Sequence, residues 1–195
     1  MSTGPSAIVL AAGLSRRAAP RHKLLLAAPD GSGRTVVRAT AEAICAIRES
    51  LHEVIVVTGH AREAIEAALH GLPVRYVFAA DFAAGMGHSL AAGVRSCFPG
   101  TPGFLVTPGD LPGLTGELAA QVVRAAARGG YRRHIVPTAQ GARGHPVFLA
   151  ASLRPALAAL TGDAGARLLL NTPGETARTD LLELGDSAVL RDVDH

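Results

Sequence analysis

The sequence predicts an α/β fold with a mostly parallel sheet covered by helices on both faces. Three observations carry this. Short runs rich in Val and Ile alternate along the chain with stretches whose apolar residues recur at helical spacing. The chain is 48% hydrophobic and only 18% charged, which excludes an intrinsically disordered protein. Its aromatic complement is five Phe, two Tyr and no Trp, so the core is built of Ala, Leu and Val, which suits helices packed closely on a sheet. The length of 195 residues suggests one domain over residues 1–195, large enough to fold without staples.

The elements follow in order. Ser6–Ala11 (SAIVLA) reads as a buried strand with β-branched residues. Thr40–Leu51 places Ala41, Ile44, Cys45 and Ile47 on one side of a helix. Glu53–Thr58 (EVIVVT) is a second strand, stopped by Gly59. Ala61–Leu69 is helical, and Val74–Phe78 is the third strand. Ser89–Ser96 reads as a short helix with Ser89 as N-cap. Gly103–Val106 is the fourth strand. Thr115 caps a helix reaching about Arg128, with Glu117 in the first turn where it suits the dipole. Ile135–Pro137 and Val147–Leu149 are further strands. Ser152–Leu160 and Ala164–Leu170 are helices, the latter with Asp163 as N-cap. Ala188–Val193 is a final strand.

Composition limits the function classes. The net charge is +3 and the cations are scattered, apart from Arg16, Arg17, Arg21 and Lys23. Scattered charge and few aromatic faces argue against a nucleic-acid partner. No run reaches the 18 or more apolar residues of a membrane span, and the apolar run Ala7–Ala12 precedes its arginines, the reverse of a signal peptide. Cys45 and Cys97 show no metal or redox spacing and read as reduced, buried small hydrophobes. The expectation is a cytoplasmic protein.

Ligands of such sheets bind at the carboxyl ends of the strands. At the end of the first strand come Leu10, Ala11, Ala12 and Gly13, then Arg16, Arg17 and Lys23. Small residues let a backbone approach a ligand closely, and the cations beside them suit a triphosphate. Neither GxxxxGK[ST] nor GxGxxG is present. An ordinary turn with surface arginines would present the same residues. After the fourth strand comes Thr107-Pro108-Gly109-Asp110-Leu111-Pro112. Asp110 is placed to hold Mg²⁺, which takes one or two carboxylates plus phosphate and water. It has no basic neighbour in sequence to occupy it. A turn aspartate accepting backbone N–H bonds is the competing reading. Asp192 and Asp194 offer a second carboxylate, or a frayed acidic tail. The loop Gly85–Ser89 presents N–H groups and Ser89 to a base or phosphate, or simply caps a helix. His145 could be a switch, ligand or base, though a lone histidine before proline is more often structural.

Together these segments resemble the MobA-like nucleotidyltransferases, and most closely their molybdenum cofactor cytidylyltransferase branch. The resemblance runs over nearly the whole chain. It rests on LAAGLSRR (Leu10–Arg17) with Lys23-Leu24-Leu25, VVTGH (Val56–His60), GMGHSLAAG (Gly85–Gly93), PGDLP (Pro108–Pro112), RGHPVF (Arg143–Phe148), TGDAGAR (Thr161–Arg167) and DVD (Asp192–Asp194). Ala18 and Ala19 depart from the family's usual Met-Gly, Ala79 from a customary asparagine and His145 from a common asparagine. The family's closing DVDTPEDL is represented by Asp192-Val193-Asp194-His195.

The resemblance implies a Rossmann-like three-layer nucleotidyltransferase fold. It implies cytidylyl transfer from CTP to the phosphate of molybdopterin or its molybdenum-bearing form, with Mg²⁺ and release of pyrophosphate. Lys23, Arg17 and Asp110 would be catalytic. Leu10, Ala11, Ala12, Gly13, Lys23, Gly59, Gly85 and Ser89 would bind nucleotide, and Asp110 with Asp194 would hold the metal. The guanylyl branch typically has glycine where this chain has Ala12, so its methyl is expected to narrow the base slot and favour a pyrimidine. The alternatives are guanylyl transfer, transfer to a sugar or alcohol phosphate, or a non-catalytic module delivering the cofactor to a molybdoenzyme. A molybdoenzyme or its chaperone is the implied protein partner.

Overall fold

The computed structural model describes residues 4–15 and 22–190. Among them lie eight strands: β1 (Ser6–Ala11), β2 (Glu53–Thr58), β3 (Arg75–Phe78), β4 (Gly103–Pro108), β5 (His134–Ala139), β6 (Ala142–Arg143), β7 (Val147–Ala150) and β8 (Thr179–Glu183). They form one sheet in the order β3-β2-β1-β4-β7-β5, with β6 and β8 both paired to β5. β1 lies parallel to β2 and β4, and β3 parallel to β2. β7 is antiparallel to both β4 and β5, so β5 points the same way as β4, and β8 runs parallel to it. The sheet is therefore mostly parallel, as the alternation of runs predicts.

The helices are α1 (Val36–Cys45), α2 (Arg62–Ala68), α3 (Met86–Ser96), α4 (Gly116–Arg128), α5 (Arg154–Ala158), α6 (Ala166–Leu170) and α7 (Pro173–Thr176). β1 shows why both faces are covered. Its side chains alternate: Ala7, Val9 and Ala11 join Val37, Ala41 and Ile44 of α1 and Ala119 and Val122 of α4. Ile8 turns the other way, to Leu90 and Val94 of α3 and Leu157 of α5. Ile8 and Val9 are fully buried, a gain of roughly 1.5–3 kcal/mol for each such side chain. Gly93 brings α3 close to the sheet, since a Cβ there would stand 2.9 Å from both Ile8 and Val57 methyls.

Several local expectations hold. β1 and β2 have the predicted bounds. The Thr115 hydroxyl accepts from the Leu118 N–H, with Glu117 in the first turn of α4. Others are corrected. α1 begins earlier than Thr40, because the Thr35 side chain caps it by accepting from the Arg38 N–H. It ends at Cys45, and a separate 3-10 turn follows. α3 begins at Met86 with Gly85 as N-cap, so Ser89 lies inside the helix. α6 starts at Ala166 after Gly165, with no capping bond from Asp163. The last described strand is β8, not Ala188–Val193: Ser187–Val189 is a 3-10 turn, and residues 191–193 lie outside the described residues. Cys97 is buried, and that burial raises its thiol to about 12; Cys45 is only half-buried. No described helix is long and apolar enough to cross a membrane.

The topology sets the place of a ligand site. From β1 the chain winds outward to β2 and β3, then returns across β1 to β4. The reversal leaves a crevice between the carboxyl ends of β1 and β4, where open α/β sheets bind ligands.

Candidate functional site

Two loops meet at that crevice. The loop after β4 is pinned to β1, since the Gly109 N–H donates to the Leu10 carbonyl at 2.9 Å. The space is tight: a Cβ on Gly109 would stand 3.0 Å from that same oxygen. One residue further on, the Leu111 N–H donates to the buried Thr40 hydroxyl of α1 at 3.1 Å. Asp110 is thus fixed from both sides. The loop after β1 carries Ala12, buried, and Gly13, where an added Cβ would meet none of the described residues within 4 Å. His22 closes back over this loop, with Nε2 3.1 Å from the Gly13 carbonyl and Nδ1 3.4 Å from the Ser15 hydroxyl.

Lys23 opens a single 3-10 turn, Lys23–Leu25, anchored by buried Leu24. Its ammonium reaches Oδ2 of Asp110 at 2.6 Å, and both side chains are mostly buried. Asp110 therefore does have a basic partner, contrary to the reading from sequence neighbours. Folding supplies a cation that sequence proximity does not. Nor does Asp110 behave as a turn aspartate. Among the described residues Oδ1 is buried and accepts no hydrogen bond.

His145 belongs to the same neighbourhood. It precedes β7, which pairs antiparallel with β4 so that Val147 faces Val106. Continuing that register brings residue 145 opposite Pro108. Burial pushes the imidazole below its ordinary value, against the opposing pull of the Val106 carbonyl and the Asp110 carboxylate. Among the described residues its Nδ1 is buried without a hydrogen-bond partner. Sequence reasoning named this residue but left it out of the site. The signal was the His-Pro step, whose meaning depends on β4 lying alongside.

The remaining predicted residues divide. Leu10, Ala11, Ala12 and Gly13 lie at the crevice, but the Ala12 methyl is packed in the core with Ile8, Val57, Ala79 and Leu90. The expectation that this methyl narrows an open base slot is corrected: on this strand end the side chain points inward. The Ala12 carbonyl accepts from the His60 N–H at 3.2 Å. Gly59 sits beside it because a Cβ there would collide with the Phe82 ring and the Ala12 carbonyl. Gly85 has φ +126° and packs against the Gly162 carbonyl group, where no Cβ fits. The Gly87 N–H donates to the Gly162 carbonyl at 2.8 Å, so that donor of the Gly85–Ser89 segment is already used. Ser89 is buried within α3. Gly85 and Gly87 dock α3 on the Thr161–Gly165 loop. Arg17, Asp192 and Asp194 lie outside the described residues.

A row of rings, which the sequence reading missed, borders the crevice. His22 stacks on His60 at 5.6 Å, His60 faces Phe82 at 6.4 Å, and Phe82 meets Phe78 edge-on at 6.3 Å. The Arg62 guanidinium lies over Phe78 at 5.4 Å. These residues come from separate segments, so no local pattern announces the row. Desolvation lowers the His22 pKa, and the positive ends of His60 and Lys23 push the same way, opposed by the Gly13 carbonyl.

A metal has a partial donor set here. No group of three His, Cys, Asp or Glu ligands exists among the described residues. The unpartnered Oδ1 of Asp110 nevertheless has the chemistry of a divalent-cation ligand, and polyphosphate oxygens and water complete such sites. The chain beyond β8 heads this way: the Val189 carbonyl accepts from the His145 N–H at 2.9 Å, and Ala188 packs by Gly113. A separate cleft of about 510 Å³, with Pro102, Tyr131 and Arg178 in its wall, lies by the start of β4 and the end of β7, away from this chemistry.

Comparison with known proteins agrees with this fold. Residues 7–179 match the MobA-like NTP transferase domain. The chain is 32% identical to nicotine blue oxidoreductase of Paenarthrobacter nicotinovorans over 96% of this chain and 90% of that protein. It is 30% identical to the purine catabolism protein PucB of Bacillus subtilis (strain 168), again over 96% and 90%. The structure superposes on Rv0371c of Mycobacterium tuberculosis H37Rv with a TM-score of 0.79 at 26% identity, covering 100% of this chain and 94% of that one. Rv0371c also has a crystal structure in complex with manganese, similar at a TM-score of 0.68 and 26% identity over 94% and 88% of the two chains. The switch-point crevice, the three-layer α/β architecture and the matched length make this chain a member of the MobA-like NTP transferase domain family.

Proposed function

We propose that this protein transfers a cytidylyl group from CTP to the terminal phosphate of a molybdopterin-type acceptor. The observation that supports it most is the Lys23–Asp110 pair, set across the switch point beside the open Gly13 loop. One cation and one carboxylate with a spare oxygen are what a triphosphate and its divalent ion need.

In this reading an acceptor phosphate oxygen attacks the α-phosphorus of CTP. A new P–O bond forms, the α–β bridging bond breaks, and pyrophosphate leaves with the electron pair. The acceptor is already an anion, so no strong general base is required. Catalysis is positioning and electrostatics. Lys23, helped by Arg17, balances the charge gathering on the leaving pyrophosphate. Asp110, with Asp194, holds Mg²⁺ or a like ion, which when bound supplies further neutralisation of the phosphates. Leu10 to Gly13 and Gly59 support the nucleoside through backbone. Gly85 acts indirectly, by holding α3 on the Thr161–Gly165 loop, while Ser89 is buried within α3. The oxidoreductase named among the relatives sets a different expectation, but the chain carries no GxGxxG fingerprint, and Lys23 with Asp110 suits phosphate chemistry.

Pyrophosphate release should be followed with CTP, GTP, ATP or UTP, each with and without molybdopterin. The expected result is release with CTP that depends on the acceptor. Preference for GTP would overturn the nucleotide assignment, and no release with any nucleotide would overturn the reaction.

A further inference from the structure

Among the described residues two buried side-chain atoms have no hydrogen-bond partner, Oδ1 of Asp110 and Nδ1 of His145. They are not scattered. The antiparallel register of β7 on β4 sets His145 opposite the end of β4, and the imidazole is close enough to the Asp110 carboxylate to feel its charge. Neither residue is loosely held. The His145 N–H donates to the Val189 carbonyl at 2.9 Å, and the Gly109 N–H ties the residue before Asp110 to β1. Lys23 engages Oδ2 of Asp110 and leaves Oδ1 over.

Buried polar atoms are ordinarily paired, so two unpaired ones in neighbouring loops at the same end of β4 and β7 call for a common partner. A carboxylate oxygen offers lone pairs only. With its proton on Nε2, the imidazole also offers a lone pair from Nδ1. Two lone-pair donors at one place are suited to a cation. An oxygen–nitrogen set differs from what Mg²⁺ takes by preference, which is oxygen alone, whereas imidazole suits transition metals.

We propose that Nδ1 of His145 joins Oδ1 of Asp110 in ligating the divalent ion that accompanies the nucleotide, and that the site therefore favours an ion such as Mn²⁺ over Mg²⁺. This rests on the nucleotidyl-transfer reading of the same crevice. The Lys23 ammonium beside the carboxylate disfavours a bare cation, so the ion enters with the anionic triphosphate.

The test is pulsed electron paramagnetic resonance of Mn²⁺ with CTP and no acceptor, on the wild-type chain and on His145→Gln, with His22→Gln as the control for one of the two other nearby imidazoles. Wild type and His22→Gln are expected to show nitrogen modulation from a directly bound imidazole. His145→Gln is expected to lose it, and its Mn²⁺ affinity in the presence of CTP to fall roughly tenfold or more. Circular dichroism checks the variant's fold, and His145→Asn stands in if the Gln variant is unfolded. A wild-type Mn²⁺–CTP complex without nitrogen modulation overturns the inference and leaves nucleotide binding intact; so does modulation that survives in the His145 variant, which assigns the bound nitrogen to another imidazole or to the base. Failure of wild type to bind Mn²⁺ and CTP at all overturns the transfer reading itself.

Discussion

The ammonium of Lys23 lies 2.6 Å from Oδ2 of Asp110, and that contact spans the crevice between the carboxyl ends of β1 and β4. It joins a residue of the loop after β1 to one of the loop after β4. Both partners are mostly buried, so each helps to offset the other's loss of water. On the proposed reading, an incoming triphosphate and metal ion would present the same two charges in reverse, so that the pair would be exchanged without leaving either group alone.

Asp110→Ala removes the spare oxygen as well as the partner of Lys23. Turnover is expected to fall about 10²-fold or more, the scale of losing one electrostatic stabiliser. The fold is expected to survive, because Gly109 and Leu111 still anchor the loop to Leu10 and Thr40. Pyrophosphate release at saturating Mg²⁺ and a thermal unfolding curve check the two halves. Unchanged turnover would remove Asp110 from the mechanism.

Lys23→Met keeps an apolar stem and loses the charge. The expected outcome is a fall in kcat/KM that excess nucleotide does not restore, since in the proposed mechanism the ammonium acts most as charge gathers on pyrophosphate. A rise in KM with kcat unchanged would instead assign Lys23 to uniform binding of the nucleotide.

Ala12→Gly tests a corrected expectation. The methyl lies in the core with Ile8 and Val57. Its loss should lower stability by about 1–2 kcal/mol, combining one buried carbon with greater backbone freedom. The CTP/GTP ratio in kcat/KM should not move. Denaturant unfolding and paired kinetics give both numbers, and a shift toward GTP would return the methyl to the base slot.

His22 gives a pH dependence with a definite sign. Desolvation, His60 and Lys23 lower its folded-state pKa from 6.5. Below pH 6.5 the unfolded chain takes a proton that the folded chain resists, so stability declines as pH falls through that value toward the folded pKa. Urea midpoints at about pH 7.5 and 5.5 should separate more for wild type than for His22→Gln. Equal separation in the two proteins would show that His22 titrates alike folded and unfolded.

The sequence by itself determined the sheet and its helical layers. Ser6–Ala11 and Glu53–Thr58 are apolar and β-branched enough to be buried strands wherever they are placed, and a hydroxyl at Thr115 followed by Glu117 starts a helix by local chemistry. β8 escaped notice for the opposite reason. Thr179–Glu183 lies mostly exposed and shows no clean alternation, so its pairing with β5 leaves little trace in composition. Ser89 and Asp163 misled as caps because glycines, tightly packed between α3 and the Thr161–Gly165 loop, set those helix starts through space.

The candidate site divides along the same line. Small residues at Ala11–Gly13, a lysine after them and an aspartate just past a strand are visible one by one, since each is a residue type suited to phosphate or metal. That Lys23 meets Asp110, that His145 stands beside them, and that Ala12 turns its methyl away were decided only by tertiary structure. The physical reason is the crossover: β1 and β4 are far apart in the chain but adjacent in the sheet, and β7 returns antiparallel to carry His145 to the end of β4. Charges and lone pairs act over a few ångströms of space, and the order of residues along the chain sets those distances only after the strands have paired.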